Sequence, residues 1–394
     1  MTRRSRHVAF LVVYSALLLS IGITREWRLV HEDNGAMQTA LALSHTRHGL
    51  AETKAHNWFI AKDGKDRLGY PHHPAGVPLL IAGGFTVTGL ETRGVARAVM
   101  ILFSIGSVML MYSILGRLFD DETIAFAGAL FFATIPMQSF FGRMVNFEPP
   151  VLFFILLMLL AWIARSWPAM AAAIIAGVMV DWTILFFCAA IVLTEAIVWL
   201  RAGRRTVPTG MIVAGVAGAI GLALAFAHIA IAFGSLQRFF DVLGKDVGAG
   251  HEPLQPLNWL SLMFENYRHY FTSTGVITSL VVAVMVLMPK ARMKPEVRRF
   301  ALVAGGAALV YLLASPNRAR LHHYWQFFFL PYAATAFAVA FAWLRARRST
   351  LVIALIVIEV ALATGYKLYR RHTEPGEYAV TAIEHYERLY LTPE

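Results

Sequence analysis

Ala75-Gly76-Val77-Pro78-Leu79-Leu80-Ile81-Ala82-Gly83-Gly84-Phe85-Thr86-Val87-Thr88-Gly89-Leu90 is the stretch on which the topology of this chain turns. It is apolar, but it is short for a spanning helix, which needs roughly 20 apolar residues. It also carries Pro78, Gly83 and Gly84. Working outward from it, the apolar runs at residues 8–24, 94–116, 122–140, 150–165, 168–182, 183–200, 208–232, 273–289, 299–315, 325–344 and 350–367 are candidate spans. Basic clusters lie at residues 3–6, 201–205, 290–299 and 345–348. Short basic loops stay on the cytoplasmic side. If residues 75–90 do not cross, all four clusters fall on one side; if they do, the last three oppose the first. The sequence therefore predicts an all-α integral membrane protein of about eleven spans, its amino terminus inside. Residues 75–90 are read as an interfacial helix in the outer leaflet.

Composition agrees with this class. Of 394 residues, 58% are hydrophobic and 15% charged, with mean hydropathy +0.58. Soluble proteins carry about 45–50% apolar and about 25% charged residues, so a cytosolic enzyme is excluded. The net charge of +11 sits in short clusters between apolar runs, which signals topology and no nucleic acid partner. A single cysteine, Cys188, excludes an internal disulfide and a multi-thiolate zinc site. Arg3, Arg4 and Arg6 before the first apolar run resemble a signal peptide; the absence of an Ala-x-Ala-like end favours an uncleaved span.

On this map the polar chemistry collects on the outer face, with every histidine except His7 and His228 assigned there. The first outer loop, residues 24–94, opens with Arg25-Glu26-Trp27-Arg28-Leu29-Val30-His31-Glu32-Asp33-Asn34-Gly35. A helical pattern through Met37, Ala40, Leu41 and Ser44 follows, with Gly49 as its stop. Asp33 sits where an N-cap belongs, a role worth about 1 kcal/mol; a carboxylate held there also stays ionised, as a general base must. Next comes Tyr70-Pro71-His72-His73-Pro74 leading into residues 75–90, its prolines fixing a rigid turn at headgroup depth. The third segment is Phe140-Phe141-Gly142-Arg143-Met144-Val145-Asn146-Phe147-Glu148-Pro149-Pro150, in which Arg143 and Glu148 could simply pair.

These three segments, in this order, resemble the amino-terminal half of the GT-C class of integral-membrane glycosyltransferases. The pattern is most similar to protein O-mannosyltransferases and to the aminoarabinose transferases that modify lipid A. Those families show an acidic pair after the first span and a Tyr-x-His-Pro-Pro-Leu-like segment before an interfacial helix. An arginine at the next span follows, matched by Arg93 or Arg97, and then an acid at the third-to-fourth span turn. Here the acidic pair reads Glu32-Asp33, and the proline pair is split by His73-Pro74-Ala75. The likeness covers residues 1–200 well and the remainder in general layout.

The resemblance implies transfer of a sugar from a polyprenyl-phosphate donor to an envelope glycan or lipid acceptor on the extracytoplasmic face of the cell (inner) membrane. Such chemistry needs a base for the acceptor hydroxyl, groups to stabilise the departing phosphate and a lipid-facing groove. Asp33 is the preferred base, with Glu32 its rival; Glu148 is the third candidate acid. Phosphate contacts are sought among Tyr70, His72, His73, Arg143 and the outward basic loop carrying Arg318, Arg320, His322, His323 and Tyr324. Asp181-Trp182 is a further candidate, though interfacial anchoring suits the tryptophan. Residues 234–271, holding Lys245, Asp246, His251, Glu252, Asn258, Trp259, Glu265, Tyr267, Arg268 and His269, suggest a cover loop. Glu195 and Glu359 fall inside spans. A divalent metal on His31, His45, His48, His72 and His73 is a possibility, but no His-Glu-x-x-His or Asp-x-Asp supports it. Residues 1–367 form one membrane domain and 368–394 a short outer tail. The rival readings are a lipid-linked sugar flippase or transporter, and a non-catalytic membrane scaffold.

Overall fold

The computed structural model describes residues 2–27, 31–61, 64, 67–203, 205–241, 255–288, 293–373 and 386. It is a helical bundle with one small hairpin. The helices are α1 (Arg3–Ser20), α2 (Glu32–His48), α3 (Gly76–Thr88), α4 (Arg93–Phe119), α5 (Glu122–Thr134), α6 (Pro136–Phe141), α7 (Glu148–Ile163), α8 (Trp167–Val178), α9 (Ile184–Arg201), α10 (Thr209–Phe233), α11 (Pro256–Leu287), α12 (Pro295–Ala314), α13 (Pro316–Leu321), α14 (Leu330–Ala346) and α15 (Thr350–Thr373). A 3₁₀ segment, His323–Phe329, leads directly into α14. Strands β1 (Trp58–Ile60) and β2 (Arg67–Gly69) pair antiparallel between α2 and α3.

Among the described residues, seven stretches are long and apolar enough to cross a bilayer: α4, α9, α10, α11, α12, the 3₁₀ segment with α14, and α15. The expected count of eleven additionally needs α1 and the shorter α5, α7 and α8. The stretch at residues 75–90 forms α3, whose 13 residues reach only about 20 Å at 1.5 Å per residue, less than the ~30 Å hydrocarbon core. Apolar side chains point outward along the long helices, among them Leu193, Leu224, Leu280 and Leu355, as a lipid-facing surface requires. Inward, Met100, Leu115, Leu156, Ile174 and Phe300 belong to one continuous core.

Three boundaries differ from the sequence reading. The run at 122–140 is two helices, because Pro136 has no N–H to give and starts α6 afresh after an extended Ile135. Residues 256–271, expected within a cover loop, are the first half of α11, so Asn258, Trp259, Glu265, Tyr267, Arg268 and His269 lie on a helix. Lys245, Asp246, His251 and Glu252 lie outside the described residues. Helix α11 breaks at Thr272, where φ is 67°. Glu359 of α15 answers that break: its Oε1 accepts the Ser273 N–H at 2.8 Å, capping the second half of α11. The other intramembrane acid, Glu195, accepts from Trp162 Nε1 at 3.1 Å. Both acids thus have structural partners. Finally, α15 runs past residue 367 to Thr373, so the expected tail begins as helix.

The bundle has two chemically different ends. At one, Arg3 donates to Thr123 at 2.6 Å, Arg345 to Asp121 at 2.8 Å and Lys294 to the Phe119 carbonyl at 3.3 Å. Three of the four basic clusters therefore meet at the α4–α5 turn. The opposite ends of α4 and α5–α6 carry Arg97 and Phe141, and there the candidate site residues gather.

Candidate active site

Helix α2 places the acidic pair. Gly35 lets the Trp27 ring pass beneath it, since a Cβ there would meet that ring at 2.5 Å. Arg97 lies over the Trp27 ring, its guanidinium carbon 4.2 Å from the centroid. Arg97 Nη2 donates to Glu32 Oε1 at 3.0 Å, and Nη1 donates to the carbonyls of Ile23 and Arg25. Both members of the pair are buried. Arg97 engages the acidic pair through Glu32. Glu32 is committed to this buried ion pair, which favours Asp33 as the carboxylate available to substrate.

Asp33 is not the N-cap. His31 occupies that position with φ 68°, and Asp33 lies in the first helical turn. Partial burial pushes the Asp33 carboxyl above the usual range, offset in part by the backbone N–H groups of Asn34 and of Asp33 itself. A raised pKa makes a carboxylate a stronger base. Its neighbour Asn34 donates through Nδ2 to the Tyr324 hydroxyl at 3.4 Å, and Tyr324 shares a 3.0 Å hydrogen bond with His322 Nδ1. The start of α2 thus touches the loop after α13, which is separated from it by most of the chain.

His31 sits at the centre of this junction. Its ring lies 4.8 Å from Tyr324, 5.7 Å from His323, 6.2 Å from His322 and 6.5 Å from Phe141. Burial, reinforced by His323 and His322, pulls its pKa down to about 3, so His31 is neutral at any physiological pH. Its left-handed backbone costs a non-glycine residue of order 1 kcal/mol. Its Nε2 is buried with no partner among the described residues.

Glu148 completes the acidic side. It begins α7, is fully buried, and both carboxylate oxygens lack hydrogen-bond partners among the described residues. Glu148 therefore makes no hydrogen bond to Arg143, which is itself 2% exposed. Glu148 and Asp33 both act electrostatically on Tyr324, as does Tyr70. Beside Glu148, Phe147 stacks on His73 at 4.2 Å. His73 Nδ1 meets Asp181 Oδ2 at 2.9 Å, and Asp181 Oδ1 accepts from the Thr183 backbone at 2.9 Å. Trp182, expected mainly as an anchor, donates to the His72 carbonyl at 3.0 Å. The turn is held close because Gly76 N–H donates to the Met179 carbonyl at 3.0 Å, where a Cβ would approach the same oxygen to 2.5 Å. Tyr70 stacks on His72 at 4.6 Å.

The three segments chosen from sequence, the Asp181 turn and the 322–324 loop therefore meet at one end of the bundle. Of the expected phosphate ligands in this loop, Arg320 is exposed and Arg318 half-buried on α13, His322 and His323 are half-buried, and Tyr324 is buried. Sequence reasoning missed three groups. Asn146 and Gln138 are fully buried with both amide atoms unpartnered among the described residues; an asparagine two places before Glu148 was the available signal. Lys367, read as the end of a span, is buried with its Nζ 5.2 Å from the Tyr270 ring. Tyr270 in turn lies 5.2 Å from Phe141 and 6.5 Å from His323.

The five loop histidines do not form one metal site. His45 bonds Thr53 at 2.8 Å, while His72 and His73 flank Tyr70. Among the described residues no group of three or more histidines, cysteines or acids could hold a metal ion.

No protein-family profile and no curated sequence matches the chain. Solved structures do. The apo oligosaccharyltransferase of Archaeoglobus fulgidus aligns over 99% of this chain and 60% of its own, at 14% identity and TM-score 0.58. The same enzyme, AglB, in complex with an inhibitory peptide and a dolichol-phosphate aligns at 15% identity over 98% of this chain and 60% of its own, with the same score. Its complex with Zn and sulfate gives 16% identity over 97% and 57%. The chain thus spans about 60% of that enzyme's length. ArnT from Cupriavidus metallidurans bound to undecaprenyl phosphate aligns less well, at TM-score 0.43, 13% identity, and 92% and 78% coverage. The chain is a helical membrane protein that shares its fold with the Archaeoglobus fulgidus oligosaccharyltransferase.

Proposed function

We propose that the protein is a membrane glycosyltransferase that moves a sugar from a polyprenyl-phosphate donor to an acceptor hydroxyl at the end of the bundle remote from its basic clusters. The observation that carries this reading is the meeting of Asp33, Glu148 and the His73–Asp181 pair around Tyr324, His322 and His323. The fold likeness supports it, since AglB was solved with a dolichol-phosphate. With the basic end cytoplasmic by the positive-inside rule, the site faces outward and α3 lies in the outer leaflet.

In this mechanism the acceptor oxygen attacks the anomeric carbon while Asp33 takes its proton. The bond from that carbon to the phosphate oxygen breaks, and its electron pair leaves with the polyprenyl phosphate. Tyr324, His322 and His323 supply hydrogen bonds to the leaving phosphate, and Arg143 and Lys367 add positive charge nearby. Glu32 holds Arg97 and positions α2. The acceptor is proposed to be an envelope glycan or lipid.

A transporter would be favoured by the broken helix α11, a feature such proteins use at mid-membrane; here the break is capped by Glu359 and the polar groups gather at one end. The test is mass spectrometry of envelope glycans from cells with the wild-type chain, with Asp33→Asn and without the chain. A sugar present only with the wild type supports the proposal. Identical glycans in all three, with the protein folded in the membrane, overturn it.

A further inference from the structure

At the basic end, α1, α5, α14 and α15 enclose an apolar groove of about 370 Å³, lined by Phe10, Phe126, Phe131, Phe341, Leu344 and Val357 among others. It belongs to neither the acidic cluster nor the 322–324 loop. Along α5 it runs from Thr123 to Thr134, about 16 Å at the helical rise of 1.5 Å per residue. Half of a ~30 Å hydrocarbon core is about 15 Å, so the groove is one leaflet deep.

Its two ends differ. The deep end is closed by a hydrogen bond between Tyr14 and Thr134 at 3.0 Å and by Thr364 Oγ1 donating to the Thr134 carbonyl at 2.7 Å. At the shallow end Arg3 donates to Thr123, a lining residue, at 2.6 Å. Among the described residues Arg3 makes no ion pair. A guanidinium carries five N–H donors, so one contact to a hydroxyl leaves Arg3 with capacity for an anion. Arg345 is nearby, paired with Asp121 at 2.8 Å, and Arg347 stacks over Trp343 at 3.7 Å, an aromatic–cation pair suited to headgroup depth. The charged groups around this end include the acids Asp120, Asp121 and Glu122 and the cations Arg3, Arg4, Arg6, Arg117, Lys294 and Arg345.

We infer that this groove holds one acyl chain of an anionic phospholipid from the leaflet at the basic end, with the lipid phosphate on Arg3. The apolar walls match a chain of one leaflet's depth, and the cationic rim matches the headgroup. This site is independent of the transferase reading and would serve a transporter or scaffold equally.

The experiment is native mass spectrometry of the full-length protein extracted from nanodiscs of equimolar phosphatidylglycerol and phosphatidylcholine of the same chain length. The wild type should retain phosphatidylglycerol over phosphatidylcholine by roughly fivefold, the preference expected from about 1 kcal/mol per arginine near a membrane surface. Arg3→Gln should abolish the preference while lipid is still retained. Ala127→Trp, which fills the groove wall, should reduce retention of both lipids. Thermal unfolding of each variant in the same discs checks that it is folded, and Ala361→Trp provides a second filling variant if Ala127→Trp is not. Equal retention of the two lipids by the wild type, an unchanged preference in Arg3→Gln, unchanged retention in a folded filling variant, or a polyprenyl phosphate occupying the groove would each overturn the assignment.

Discussion

The two ends of α4 and α5 hold charged groups under opposite conditions. At the basic end Asp121 and Arg345 are partly exposed and pair across α5 and α14, and Lys294 and Arg3 find carbonyl or hydroxyl oxygens. Exposed pairs of this kind contribute about 0–1 kcal/mol. At the other end Glu32 and Arg97 pair out of water, while Glu148, Asn146, Gln138 and His31 keep buried polar atoms unpartnered among the described residues. Each such atom costs about 1–3 kcal/mol. Under the proposed function, these buried groups are the ones held ready for a substrate.

That contrast can be broken from either side. The largest expected effect is on activity. Asp33→Asn should lower sugar transfer by about 10²–10⁴-fold, the usual contribution of a positioned base, without lowering the unfolding temperature. The sign follows from burial: the Asp33 carboxyl is raised in the folded state, so its ionised form opposes folding above its folded pKa, and Asn removes that cost. A variant destabilised by about 1 kcal/mol at pH 7 would instead make Asp33 a structural acid that stabilises the first turn of α2.

Next in size is Glu32→Ala. Leaving Arg97 buried without its carboxylate should cost about 3–5 kcal/mol, seen as a loss of folded protein in thermal or denaturant unfolding. A fully stable but inactive Glu32→Ala would make Glu32 the base. The Asp33 shift also predicts a pH profile: transfer should rise with pH through a midpoint above the ~3.9 of an ordinary aspartate and then level off. Asp181→Asn, which frees the His73 ring, should slow transfer by a smaller factor, of order tenfold, with little change in expression. Smallest is Asp121→Asn at the basic end, expected to change stability by no more than about 1 kcal/mol and transfer not at all.

Much of the membrane layout was legible because apolar runs and basic clusters are strong local signals. The three polar segments and the 322–324 loop are conspicuous in the sequence as well, since histidines, acids and prolines stand out between apolar runs. What escaped depended on tertiary contacts. Glu32 and Asp33 are adjacent and chemically alike; only Arg97, many residues away, separates their roles. Asp181 and His73 form a pair across two turns that no spacing announces. Glu359 looked like an unexplained membrane acid until the break at Thr272 gave it an N–H to accept. Lys367 was hidden by the apolar run it terminates, because its significance lies in Tyr270 across the bundle.

The most direct measurement is a double-mutant cycle on transfer rate between Asp33→Asn and Tyr324→Phe, each checked for folding. If the start of α2 and the 322–324 loop serve one reacting centre, the two losses should couple by about 0.5–3 kcal/mol, the range found for residues in one network. Losses that simply add, or a Tyr324→Phe protein with full activity, would contradict a single shared site.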